Sequence, residues 1–144
     1  MYETILLPVD GSAGAAAATE HAVDLAKAHG ATLHVLYVVD VRMSPIGTDA
    51  SHADVMELVE ASTERPTADA LDRAETAGVE AVEVIRHGVP SQRIGEYADA
   101  EDVDLIVMGT HGRTGVAHVV LGSVADRVVR TADTPVLTVP PRDA

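Results

Sequence analysis

The sequence predicts an α/β protein, a doubly wound five-stranded parallel sheet with helices on both faces, formed by one domain over residues 1–144. Three observations lead there. Five short runs rich in Val, Ile and Leu recur along the chain, and three are almost continuously apolar, as strands covered on both faces must be. Segments of helical period separate them, and a repeated β-α order implies parallel strands joined by right-handed crossovers. Finally, 144 residues is the size of a single domain, which buries roughly 70% of the surface its unfolded chain exposes.

The strands are expected at Thr4 to Val9, Thr32 to Val39, Val79 to Arg86, Asp104 to Met108 and Pro135 to Val139. In the first helical segment Ala15, Ala18, Ala22, Leu25 and Ala26 recur at spacings of three and four, with Ser12 as the N-cap and Gly30 as the stop. The second, from about Ser51 to Ala77, contains Pro66, which lacks a donor and should kink or split the helix just before that point. A third helix runs from about Pro90 to Ala100, with proline suited to its first position. A fourth starts at Ser123, where Val124, Ala125, Val128, Val129 and Ala132 make an apolar stripe. The long connection Asp40 to Ala50 fits either a plain connector or a lid over a ligand.

Composition excludes several functions. The chain has no cysteine, so disulfides and thiolate metal sites are ruled out and a cytoplasmic location is expected. The opening residues lack the pattern of a signal peptide, and no run approaches the about 18 apolar residues of a membrane span. Twenty-three acidic residues face nine arginines and Lys27, for a net charge of -13. Nucleic acid is a poor partner for such a surface, because binding it needs cationic groups that displace counterions. The acidic residues are spread along the chain, and together with scarce lysine and the lack of Phe and Trp they suggest adaptation to high salt.

In doubly wound sheets ligands bind beyond the C-terminal ends of the strands, where the strand order reverses. Three segments qualify: Pro8 to Ser12, Tyr37 to Asp40, and the loop that begins at Gly109. The third carries the most unusual chemistry. Gly109, Gly112 and Gly115 follow a strand, and Gly122 and Ser123 open a helix. Glycine lets the backbone adopt left-handed conformations and approach a ligand, so that consecutive N–H groups point at phosphate oxygens. Ser123 adds a hydroxyl to the free amides and the positive dipole end of its helix, with Arg113 and Arg127 as the nearest cations. The loop is neither a Walker A motif nor a dinucleotide fingerprint. A purely structural reading stands beside this one, since Ser123 and Asp126 also match a capping box.

The segment MGTHGRTGVAHVVLGSVADRVVRTADTPVLTVP resembles the C-terminal signature of the universal stress protein family, whose ATP-binding members carry G-x2-G-x9-G-S/T. That pattern falls here on Gly109, Gly112, Gly122 and Ser123, and ILLPVDGS and LHVLYVVD resemble the family's first two strands. The resemblance implies the strand order 3-2-1-4-5 and ATP, with or without Mg, between the ends of the first, second and fourth strands, with AMP sharing the base and ribose contacts. It places Pro8 and Asp10 beside adenine and ribose, the Val38 backbone on the base, and Gly109 by the ribose. Gly112, Arg113, Gly122, Ser123 and Val124 would surround the phosphates. Bland roles exist for some of these residues, Asp10 as a turn former and Val38 as core. The resemblance also implies a homodimer through the last strand, Pro135 to Val139, which an apolar edge would favour in any case.

No paired acid and base, nucleophile with a positioned histidine, or metal set stands at recognisable spacing. The seven histidines are scattered; His111 and His118 flank the glycine loop, and His29 lies where a helix dipole favours it. Three functions therefore remain: a nucleotide-dependent binding or signalling module of the stress response, a slow metal-dependent ATPase or phosphotransferase, and a nucleotide-free dimeric interaction protein. The second lacks a dedicated carboxylate by the phosphates. Against the third stands the intact glycine pattern. Neither the protein partner nor the physiological trigger is legible.

Overall fold

The structure is a computed structural model and describes residues 2–10, 13–40, 65–110 and 121–141. The elements are β1 (Thr4–Val9), α1 (Ala13–His29), β2 (Thr32–Asp40), α2 (Ala68–Ala77), β3 (Ala81–Gly88), α3 (Pro90–Ala100), β4 (Leu105–Gly109), α4 (Ser123–Thr131) and β5 (Val136–Val139). All neighbouring strands pair in parallel, as the sequence predicts, and in the order β3-β2-β1-β4-β5 that the resemblance implies. Most of the Asp40 to Ala50 connection and the part of the second helical segment before Arg65 lie outside the described residues, as does Ser12.

The strict two-residue alternation of side chains sorts the central strands into two cores. Odd-numbered residues (Ile5, Leu7, Leu33, Val35, Leu105, Val107) pack with Ala18, Ala22 and Ala26 of α1 and Ala70 and Ala74 of α2. Even-numbered ones (Leu6, Leu36, Val84, Ile106, Met108) pack with Ile94 and Tyr97 of α3 and Ala125 and Val128 of α4. Burial on both faces explains why these strands read as continuous apolar runs. It also fixes register, because a one-residue slip would exchange the two faces of a strand.

Several boundaries differ from the sequence expectation for local reasons. β3 starts at Ala81, not Val79, because the end of α2 closes on itself. Gly78 has φ +75°, its N–H donates to Glu75 O at 3.1 Å, and Val79 N–H donates to Ala74 O at 2.8 Å. This is a Schellman closure, with Val79 buried as its apolar contact. Gly30, at φ +64°, ends α1 with the matching Ala31 to Ala26 bond. α2 begins two residues after Pro66, in keeping with the expected break. Asp104 precedes β4 rather than joining it, and its carboxylate accepts from the N–H groups of Glu3 and Thr4 at 2.8 and 3.0 Å. Pro135 stays outside β5, although its carbonyl accepts from Ile106 N–H. In α4, Ala125 and Val128 are buried, but Val129 stands at the margin of the stripe and is 45% exposed.

Candidate functional site

β1 lies between β2 and β4, so the crossovers leave it in opposite directions and the strand order reverses there. β1 and β2 pair over six positions, up to Val9 with Tyr37. The pairing of β1 with β4 covers Ile5–Leu105 and Leu6–Ile106, three residues short of the C-terminal end of each strand. A crevice therefore opens between the ends of β1 and β4, at the place the sequence rule selects.

The two ends of the glycine loop meet just beyond β4. Thr110, buried just after β4, accepts a hydrogen bond from Gly122 N–H at 2.5 Å, while its own N–H donates to Val139 O of β5 at 3.1 Å. The two main-chain polar groups of one residue, Thr110, thus join the two ends of the loop to each other and to the edge strand. Thr110 carries no signal in the sequence, since it falls on an unspecified position between Gly109 and Gly112.

Gly122 is buried and serves as the N-cap of α4 with φ −68° and ψ 165°, an extended conformation open to any residue. The expectation of a left-handed backbone does not apply there. Nor does the capping box form. Ser123 takes the first helical position, exposed, and the Asp126 carboxylate instead receives Arg130 Nε at 3.0 Å on both oxygens. Gly122 has no side chain with which to cap, so no side-chain cap bond is made to the first amides of α4, at the positive end of the helix dipole.

Of the other expected site residues, Pro8 is the penultimate residue of β1 and Asp10 follows that strand directly, both part-buried. Gly109 ends β4, paired with Val139. Val38 and Val124 both pack their side chains on the second core cluster, so contacts from either to a ligand would be made by main-chain atoms. The structure thus brings together Pro8, Asp10, Val38, Gly109, Gly122, Ser123 and Val124 around one sheet end. Gly112 and Arg113 lie outside the described residues, as do His111 and His118.

Among the described residues, the titratable groups displaced from their ordinary range lie elsewhere. The two backbone hydrogen bonds from Glu3 and Thr4 hold the Asp104 carboxyl below the usual carboxylate range, at the opposite end of the sheet. Burial raises the Tyr97 phenol, helped by Glu101, and its hydroxyl meets His34 Nδ1 at 2.5 Å. His29 is in the last turn of α1 as the dipole argument expects, edge-on to Tyr2 with ring centroids 5.0 Å apart. Among the described residues no helix is long and apolar enough to cross a membrane.

Residues 1–140 match the model of the universal stress protein family. Universal stress protein MJ0531 of Methanocaldococcus jannaschii is 38% identical over 142 residues, covering 96% of this chain and 82% of its own. The solved structure of MJ0577, from the same organism, superposes with a TM-score of 0.80 at 29% identity, covering 100% and 99% of the two chains. A universal stress protein solved in complex with cAMP superposes with a TM-score of 0.70 at 28% identity, covering 97% and 98%.

Proposed function

The chain belongs to the universal stress protein family, and from that premise we infer that it binds an adenine nucleotide, ATP, in the crevice between β1 and β4. In this reading Pro8 and Asp10 flank adenine and ribose, the Val38 main chain meets the base, and Gly109 lies by the sugar. Gly112, Arg113, Gly122, Ser123 and the Val124 amide surround the phosphates, with Mg accompanying them. The observation that carries the reading is the Thr110–Gly122 hydrogen bond. It holds the mouth of the loop against the uncapped start of α4, where peptide N–H groups and the dipole favour an anion. The cAMP held by the relative solved with it supports the choice of an adenine nucleotide.

The protein acts as a nucleotide-dependent binding module, with the ligand signal passed to the edge strand. Thr110 donates to Val139 and accepts from Gly122, so reordering of the loop on a phosphate bears directly on β5. β5 presents Leu137, 37% exposed, at the sheet edge, and pairing of this edge with a second copy gives a homodimer.

Isothermal calorimetry with ATP and Mg tests the site. The Gly112→Val, Gly122→Val double variant is expected to lose binding and keep its fold. At Gly122 the backbone conformation accepts a side chain without strain, so a loss would report on space at the helix mouth. Unchanged affinity would refute the site.

A further inference from the structure

A second concavity lies at the opposite edge of the sheet. It has a volume of about 270 Å³, between the end of β3 and α3, and is lined by Arg86, His87, Arg93, Glu96, Tyr97 and Glu101. β3 stands three strands from β4, about 14 Å at the usual strand spacing. The cavity is therefore separate from the ends of β1 and β4, and its chemistry is independent of the nucleotide reading.

Both of its arginines are fixed by the protein. Gly88, at φ +140°, lies directly beneath Arg93: a Cβ there would come within 2.5 Å of Arg93 Nε. That close approach lets Nε donate to His87 O at 2.9 Å and Nη1 to Glu96 Oε2 at 2.6 Å. A guanidinium has five N–H groups, so Arg93 keeps others for a further acceptor. Arg86 places its guanidinium carbon 5.7 Å from the centre of the Tyr97 ring and donates to Ile85 O at 3.0 Å. The ring is itself held by the contact of its hydroxyl with His34. Among the described residues no carboxylate pairs with Arg86, whereas Arg65, Arg73, Arg93 and Arg130 each have one. Among the described residues Arg86 and Arg127 are the arginines without a carboxylate partner, and Arg86 shares its cavity with a second, immobilised arginine.

Two planar guanidinium forks suit a carboxylate. The same rim carries Glu96, already paired with Arg93, and Glu101, exposed at the end of α3. A dianion would meet those carboxylates and the negative field of the molecule, whereas a ligand carrying one charge of each sign would not. The volume falls just below the roughly 300 Å³ at which drug-sized sites begin, which suits a molecule no larger than an amino acid. We propose that this cavity is a binding site for a zwitterionic α-amino acid, its carboxylate on Arg86 and Arg93 and its ammonium group towards Glu101.

The test is a titration of the ¹⁵N-labelled full chain with L-leucine and two analogues that each lack one charged group, 4-methylpentanoate and 3-methylbutylamine. Leucine is expected to shift the amides of Gly88, Val89 and Ala100 with millimolar affinity, and each analogue to bind at least about tenfold more weakly, one charge-assisted contact being lost. The Arg86→Gln, Arg93→Gln variant should lose leucine binding. Because that variant alters contacts at the end of β3, Glu101→Gln supplies a milder control: it should weaken leucine and bind 4-methylpentanoate at least as well as the parent does. Absence of shifts at tens of millimolar leucine would overturn the proposal. So would equal binding of the three compounds, stronger shifts of the same amides by inorganic phosphate or ATP, or a Glu101→Gln variant that binds leucine as the parent does.

Discussion

Replacing Ser123 with alanine separates ligand contact from helix capping. If its hydroxyl donates to a phosphate oxygen, the contact is charge-assisted but solvent-exposed, and its loss should cost about 1.4 kcal/mol, or tenfold in Kd. At ATP one hundred times the parent Kd, ligand binding stabilises the parent by about 2.7 kcal/mol; the variant, at ten times its own Kd, gains about half that. For a chain of 144 residues these correspond to Tm increases of roughly 8 °C and 4 °C. The unliganded proteins should melt together. Gly122, not Ser123, is the N-cap of α4, so the change removes no cap, whereas loss of one would lower Tm by about 3 °C. Scanning fluorimetry with and without ATP and Mg gives all four values. Equal ligand-induced increases would refute phosphate contact, and a lower Tm for the unliganded variant would show that Ser123 supports the helix after all.

Other outcomes follow from the same geometry. Asp104→Asn should lower Tm by about 3 °C at neutral pH, the effect of about 1 kcal/mol for two partly exposed charge-assisted bonds. The Asp104 pKa is lowered on folding, so its stabilisation is complete above the unfolded carboxylate value, about 3.9, and is lost as pH falls through the folded one. Thermal melts should therefore show a constant gap down to about pH 5 that closes at lower pH; a gap persisting to pH 2 would contradict this cause. Leu36→Ala, at a fully buried position of the second core, should cost about 2 to 5 kcal/mol by urea denaturation. Leu137→Lys should turn a dimer into a monomer in sedimentation velocity, and a dimer that survives would remove β5 as the pairing edge.

Much of the fold was legible because burial on both faces leaves a coarse mark on the sequence. TILLPV and DLIVM cannot be amphipathic helices, and the alanines of α1 recur at helical spacing. The misplaced start of β3 has a definite cause: Val79 is apolar whether it begins a strand or seals a Schellman closure, so hydropathy cannot separate the two. The capping box failed for a related reason. Ser123 and Asp126 have the required spacing, yet the hydrogen bond from Gly122 to Thr110 fixes the helix start one residue earlier, and Arg130 occupies the carboxylate. The cavity at β3 left no legible pattern, because Arg86 and Arg93 lie on different elements and line one cavity only in the fold, where Gly88 gives Arg93 room.

The net charge of -13 suggests that a polyphosphate would be repelled, but net charge is the wrong quantity at the range that matters. With a Debye length of about 8 Å at physiological ionic strength, carboxylates on the far faces contribute little at the crevice. Locally the arithmetic differs. Asp126, the acidic residue in the first turn of α4, is neutralised by Arg130, so the helix presents the roughly half positive charge of its dipole without an opposing carboxylate. Arg127 stands exposed one turn beyond Ser123, and side chains on a helix lean towards its N-terminus. In the proposed pose Asp10 lies at the sugar end, where an acceptor for ribose hydroxyls is wanted and its negative charge lies far from the phosphates. An acidic protein can thus offer an anion a favourable mouth, provided that its few cations are placed to cancel the nearest carboxylates rather than the total.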